Sequence, residues 1–230
     1  MSLRSLAPAL ILVACRHDAP PPTAPPRQPR TTETKALEPA QRAAQTLAPA
    51  RALDTYLDGF RVLKDNHAIA MEVHLFCRNK NDDFAQCALF DGDAADANLT
   101  GVEYIISERL YQKLPPEEQA TWHPRNYEIT SGQLVMPGVP DAVEKTALAK
   151  RLNSYGKTWY VWDSGHSDLP VGDPQLAWSF NHDGEMSPLL IEHRDRRLHV
   201  DTRKKREQRR DLVPEARPQQ GEDVLLQSSR

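Results

Sequence analysis

Two apolar runs joined by a short polar loop constrain the fold more than any other feature of this chain. Met71-Glu72-Val73-His74-Leu75-Phe76-Cys77 is rich in strand-forming residues, Arg78-Asn79-Lys80-Asn81-Asp82-Asp83 is polar, and Phe84 to Phe90 is again apolar. Runs of this length bounded by polar turns predict a β-hairpin with a longish loop. Strand side chains alternate between faces. Met71, Val73, Leu75 and Cys77 therefore share one apolar face, and Ala85, Cys87 and Leu89 share the matching face of the partner. Cys77 and Cys87 can meet across the hairpin on its core side. An oxidising compartment favours a disulfide there, which stabilises so short a loop by roughly 2–3 kcal/mol. In a reducing compartment the same geometry gives two buried thiols.

The rest of the pattern builds on this hairpin. Leu53, Tyr56, Leu57 and Phe60 recur at helical spacing and predict an amphipathic helix. Gly59 weakens its end, and Gly59 to Lys64 also reads as a strand turning at Asp65-Asn66. Gly101 to Ser107 is β-branched and aromatic, a third strand, and Ser107 can cap a helix running through Leu110 and Tyr111. Pro115-Pro116-Glu117-Glu118 opens another short helix. Tyr127 to Thr130 and Gln133 to Met136 flank a turn at Ser131-Gly132. Pro140 and Asp141 begin a helix that Gly156 ends, and Thr158 to Trp162 is a last strand. The expected class is α+β. It is a single domain with an antiparallel sheet of about five to six strands and helices packed mainly on one face.

The N-terminus carries a different message. Leu12-Val13-Ala14-Cys15 has the form of a bacterial lipobox, preceded by Arg4 and a short apolar run from Leu6 to Ala14. That run is too short to span a bilayer. Residues 1–14 read as a signal peptide and Cys15 as the lipid attachment site. Several acyl chains at one residue hold a protein firmly, whereas one chain binds only marginally. Arg16, rather than Asp, after the cysteine favours the outer membrane within a bacterial cell envelope. Eight of the chain's 19 prolines fall in residues 19–50. Such a segment has little apolar surface with which to offset the entropy of ordering. Residues 15–50 are expected to be a Pro-rich disordered tether of polyproline II character.

Charge divides the remainder. Residues 51–191, the expected globular domain, carry 12 Lys/Arg against 21 Asp/Glu and are net −9. An acidic domain argues against a nucleic-acid partner. Residues 192–211 carry 9 Lys/Arg against 5 Asp/Glu, net +4, so 192–213 reads as a basic charged helix whose Arg203-Lys204-Lys205-Arg206 run forms a solvated face. Residues 214–230 are expected to be a disordered tail. The expected partners are the membrane, through the N-terminal lipid, and a lipid or small-molecule ligand. No cofactor can be named.

Chemistry-bearing residues are sparse. On a regular strand His74 and Cys77 point to opposite faces, which argues against a joint metal site. Glu103 lies among Val102, Tyr104, Ile105 and Ile106, and a buried carboxylate there needs a partner. His74, Glu103, His123 and Glu128, if they converge, form a polar cluster able to hold a divalent ion or run acid–base chemistry. The stretch Asp91-Gly92-Asp93-Ala94-Ala95-Asp96 fails the EF-hand register, because Val102 stands at its twelfth position. No nucleophile elbow or Gly-rich phosphate loop occurs. Two readings follow: a non-enzymatic binding or structural module on a lipid anchor, and a small metal-assisted or acid–base enzyme.

Several motifs agree in order and spacing with a known family. They are Glu72-Val73-His74-Leu75-Phe76-Cys77, Phe84-Ala85-Gln86-Cys87-Ala88-Leu89-Phe90-Asp91, Gly101-Val102-Glu103-Tyr104-Ile105-Ile106-Ser107, and Trp122-His123 followed by Tyr127-Glu128. Tyr155-Gly156-Lys157-Thr158-Trp159, Leu169-Pro170-Val171-Gly172-Asp173-Pro174 and the charged end from Arg194 to Asp211 extend the match. Residues 53–211 resemble the oil-body-associated proteins of plant seeds, which have fungal and bacterial relatives. The resemblance implies association with lipid droplets in the plant members and brings no reaction or cofactor with it. The chain departs from the family pattern twice. Arg125 replaces a second His after His123, and only His74 stands where adjacent His residues are common.

Overall fold

The computed structural model describes residues 29–227. The signal segment 1–14, the lipid attachment site Cys15 and the first part of the tether lie outside the described residues. Seven strands form one antiparallel sheet: β1 (Thr55–Leu63), β2 (Asn66–Asn81), β3 (Phe84–Phe90), β4 (Leu99–Ile106), β5 (His123–Pro124), β6 (Tyr155–Tyr160) and β7 (Gln175–Trp178). Their order is β4-β3-β2-β1-β7-β6-β5, and β4 also pairs with β6. That pairing closes six strands into a small barrel, with β5 lengthening the β7 side of β6. The α+β expectation holds at this level, but the open sheet is corrected to a closed barrel.

Closure needs close backbone approach, and glycine supplies it. Gly101 of β4 lies opposite Tyr160 of β6, and a Cβ there would sit 2.3 Å from the Trp159 carbonyl oxygen. Gly59 and Gly156 stand at other inward positions, where a Cβ would meet Leu134 and His123 respectively. Small inward residues let a six-strand wall curl tightly, and closure removes the exposed sheet edges. β1–β7 is the thin seam, held by the pairs Val62↔Trp178 and Leu63↔Ala177.

The hairpin forms as its alternation predicts, but its longish loop is corrected to a turn at Asp82-Asp83, because Arg78 to Asn81 continue β2. Cys77 lies directly opposite Cys87, and the two are joined by a disulfide. They belong to an inner core with Leu57, Val73, Leu75, Leu89 and Ile105. His74 lies on the other side of β2, so the alternation argument about His74 and Cys77 also holds. The helix expectation over residues 53–60 is corrected, whereas the alternative strand from Gly59 holds, ending at a turn of residues 64–65. That strand, β1, starts at Thr55, and Tyr56, Asp58, Phe60 and Leu57, Gly59, Arg61 alternate across a wall buried on both faces.

A closed wall has an inside and an outside rather than two sheet faces, so the helices take other positions. After two N-terminal helices, α1 (Thr32–Ala44) and α2 (Ala48–Arg51), Ser107 accepts from the Leu110 amide and caps α3 (Glu108–Tyr111), as expected. Next come α4 (Pro116–Gln119), α5 (Asn126–Thr130) and α6 (Asp141–Ala149). Tyr127 to Thr130, expected to flank a turn at Ser131-Gly132, belong to α5, and Gly156 sits in β6 rather than ending α6. Ile129, Leu148 and Leu212 reach the inner core, so α5, α6 and a 3-10 helix at Arg210–Glu215 plug one end of the barrel. Outside, α7 (Pro188–Leu198) lies near an aromatic layer of Phe60, Trp178 and Phe180.

Both ends of the chain differ from expectation. The tether carries a helix at Thr32–Ala44, capped by Thr31, with no buried residue. Its Ala, Glu, Lys and Gln residues are good helix formers, and they carry the helix through the unfavourable interior Pro39. A second, four-residue helix follows at Ala48–Arg51. The basic segment forms α7 and a further helix, Thr202–Gln208. It is not purely solvated. Arg194, Lys205 and Arg209 are buried, with Lys205 on Asp141 and Glu144, and Arg209 on the Ile129 and Leu134 carbonyls. The expected tail is docked. Gln219 and Leu225 are buried, and the Trp178 indole donates to the Gly221 carbonyl. Among the described residues no helix is long and apolar enough to cross a membrane.

Candidate functional site

Three of the four residues singled out by sequence converge inside the barrel. Glu103 of β4, His123 of β5 and Glu128 of α5 are all buried, and two arginines join them. Arg61 of β1 donates to Glu103 Oε2 at 2.7 Å through Nη2 and to Glu128 Oε2 at 2.6 Å through Nη1. Arg125 Nε donates to Glu128 Oε1 at 2.6 Å and lies 3.8 Å from Glu103 Oε1. Two guanidinium groups thus face two carboxylates, and the formal charges cancel. The Thr158 hydroxyl donates to Glu103 Oε2 at 2.8 Å, its own oxygen lies 3.0 Å from His123 Nε2, and His123 Nδ1 lies 3.3 Å from the Pro124 carbonyl oxygen. Burial, reinforced by Arg61, pushes His123 down to about 4. Burial pushes Glu103 upward, but Arg61, His123 and Arg125 outweigh it and hold the carboxyl at about 2.

Such an arrangement is an ion network, not an open pocket. Buried ions persist only when paired and hydrogen-bonded. Every oxygen of Glu128 and one of Glu103 is committed to an arginine. Glu103 Oε1 and the Arg125 Nη atoms have no hydrogen-bond partner within the protein among the described residues.

His74 stands apart, on the outer wall under α7. Its Nδ1 lies 2.7 Å from the Tyr56 hydroxyl and 3.3 Å from Asp58 Oδ2. Asp58 is directly opposite His74 in the β1–β2 register, and Glu72 is two residues along the same face. Arg194 Nη1 donates to Asp58 Oδ1 at 2.9 Å. Arg197 Nη2 donates to Glu72 Oε1 at 2.5 Å and reaches Asp58 Oδ2 at 3.4 Å. Burial, then the neighbouring Glu72 carboxylate, pushes Asp58 up to about 8. Burial pushes His74 down, so its imidazole is neutral at neutral pH.

With this geometry in hand, relatives can be compared. A family model described as a protein of unknown function (DUF1264) matches residues 47–213. Oil body-associated protein 1A of Zea mays is 37% identical over 185 residues, covering 80% of this chain and 78% of its own length. Oil body-associated protein 1B of Arabidopsis thaliana is 36% identical over 180 residues, 77% of this chain and 74% of its own. The chain belongs to the oil body-associated protein family. No solved structure matches. The matched region contains the whole barrel, so the inner network and the outer cluster both lie on the family's common ground. Within that region the Arg125 guanidinium reaches Glu128 and balances its charge.

Sequence reading missed Arg61, Arg125 and Thr158 inside, and Tyr56, Asp58 and Arg197 outside. Three of these belong to β1, whose helical reading hid the alternation that sends Arg61 inward and Asp58 outward. The inner packing has a direct test. At Gly156 a Cβ would lie 2.5 Å from His123 Cε1 and 3.0 Å from Glu103 Oε1. His123 cannot withdraw without leaving Thr158. Gly156→Ala is therefore expected to cost about 1–3 kcal/mol in urea unfolding, and a cost near zero would mean the imidazole is loosely held.

Proposed function

We propose that this chain is a lipid-anchored bacterial envelope protein, held at Cys15, whose barrel is a binding or structural module for lipid rather than a catalyst. One observation carries the reading. The outer wall of β3, β4 and β6 presents an apolar groove of about 590 Å³, lined by Phe84, Tyr104, Ile106, Leu110, Trp122 and Trp159. Lys113 and Lys157 also line it. In register, Val102 stands between Ala88 and Trp159, and Tyr104 between Gln86 and Lys157. Val102 and Tyr104 are both exposed. Aromatic rings flanked by lysines suit the boundary between acyl chains and polar headgroups. The matched relatives are named for association with oil bodies, which fits a lipid-facing surface. The carboxylates and imidazole that an acid–base reaction would use are committed to Arg61, Arg125 and Thr158.

The test separates anchor from barrel. Full-length protein with Cys15→Ser is expected to lose metabolic acyl labelling. In flotation with phospholipid-coated triacylglycerol droplets, that unlabelled variant is expected to bind through the barrel alone. Adding Tyr104→Ser and Trp159→Ser is expected to weaken this binding ten- to a hundredfold, since two partly buried aromatic rings contribute about 2–3 kcal/mol. Wild-type protein that takes up no acyl label would overturn the anchor. Binding unchanged by the two serines would overturn the groove.

A further inference from the structure

The outer-wall cluster is independent of the groove and of the anchor. Asp58, Glu72 and His74 each offer one ligand atom, and these atoms all lie within 4.8 Å of one another. We propose that they form a binding site for a divalent transition ion of the Zn²⁺ class, and that the Arg197 guanidinium holds the site as an internal cation until the metal displaces it.

Four features carry the assignment. First, the donor set mixes one imidazole with two acidic side chains, the combination that suits borderline divalent ions rather than calcium. Second, the donors stand on adjacent antiparallel strands, with Asp58 opposite His74 and Glu72 next along the face. A rigid wall holds them in place before any ion arrives. Third, Arg194 orients Asp58 without consuming its second oxygen, while the Tyr56 hydroxyl holds His74 Nδ1 until a metal takes that nitrogen. Arg194 fixes Asp58 through Oδ1, which leaves Oδ2 turned toward His74 at 3.3 Å. The Tyr56 hydroxyl contacts His74 Nδ1 at 2.7 Å and sets the ring. Partners of this kind tune ligand geometry in metal sites.

Fourth, Arg197 already does a cation's work. Its guanidinium bridges three carboxylates: Glu72 at 2.5 Å, Asp58 at 3.4 Å and Asp93 at 3.4 Å. It differs from Arg194 in accessibility. The Arg194 side chain is fully buried, whereas that of Arg197 is 31% exposed. Arg197 can swing outward and keep Asp93, which is itself exposed, as a partner. Metal entry thus exchanges one cation for another across the same two carboxylates. Because Arg197 lies on α7, the exchange would loosen one tie between that helix and β2.

Titration of metal-stripped full-length protein with ZnCl₂, followed by calorimetry, tests this. One equivalent is expected to bind the wild type. Arg197→Ala, which removes the competing cation, is expected to bind about tenfold or more tightly. His74→Ala and Glu72→Gln are each expected to weaken binding at least tenfold. Glu72 is at the rim and its amide keeps the side-chain shape, so this variant keeps the test alive should His74→Ala misfold. Titration with Co²⁺ adds a spectroscopic reading, a visible absorption band strengthened in Arg197→Ala and lost in Glu72→Gln. Equal Zn²⁺ affinity in wild type and Arg197→Ala, or binding unaffected by Glu72→Gln, would overturn the site and leave Asp58, Glu72 and His74 as parts of a structural ion network.

Discussion

Replacing Arg61 with methionine is expected to destabilise the barrel by about 3–5 kcal/mol, the cost of removing one partner from a buried ion pair. Arg61 is fully buried and holds Glu103 and Glu128 together. Methionine fills much of the same volume, so little of the loss is packing. What remains is two carboxylates facing one guanidinium in a closed interior. At about 2–4 °C per kcal/mol for a domain of this size, the melting temperature falls by roughly 6–20 °C. Urea unfolding with the Cys77–Cys87 disulfide intact measures the loss. A cost below about 1 kcal/mol would place the network in contact with solvent. Residues that share a network couple, so Arg61→Met combined with Glu103→Gln should cost less than the sum of the two single changes.

Acid weakens the protein through His123, and the sign follows from the direction of the shift. His123 has a folded pKa of about 4, below its ordinary 6.5. A lowered value means that the unfolded chain binds the proton first. The contribution of His123 is therefore fully present above 6.5 and lost as pH falls through about 4, on the order of 3 kcal/mol. Glu103 adds to this further down, since it is held at about 2 against an ordinary 4.5. Asp58 works in the opposite sense. Burial, then Glu72, raises it from 3.8 to about 8, so its contribution is present at low pH and lost as pH rises through about 8. The His123 effect is read as a difference, comparing the unfolding free energies of wild type and His123→Gln across pH 7 to 4. That difference is expected to shrink as pH falls. A constant difference would mean that His123 titrates freely and is not sealed in the barrel.

How much of this was legible in the sequence depends on the range of the interactions involved. The β2–β3 hairpin was readable because alternation and a polar turn encode it locally, and the facing of Cys77 and Cys87 follows from the same alternation, whereas their bond was left open between disulfide and thiols. The Ser107 cap was readable for the same reason. β1 was readable only as the alternative strand from Gly59, because a strand buried on both faces loses its polar alternation, and Leu53, Tyr56, Leu57 and Phe60 then imitate a helix. β7 was missed because four residues, Gln175 to Trp178, are too few to show a period. The docked C-terminal residues carry no local signal either, since Gln219 gains its place by accepting from the Arg125 and Asn126 amides far away in the chain.

Sequence alone determined that Glu103 needs a partner, that His123 and Glu128 are candidates for the same neighbourhood, and that His74 faces away from Cys77. These are consequences of residue type and of a two-residue period. Only tertiary structure decided that Arg61 and Arg125 supply the missing charges, that His74 instead joins Asp58 and Glu72, and that the sheet closes. Each of those outcomes depends on which strands become neighbours. Pairing β4 with β6 joins segments about fifty residues apart, and it is set by glycines that permit contact and by charges that must find partners once water is excluded.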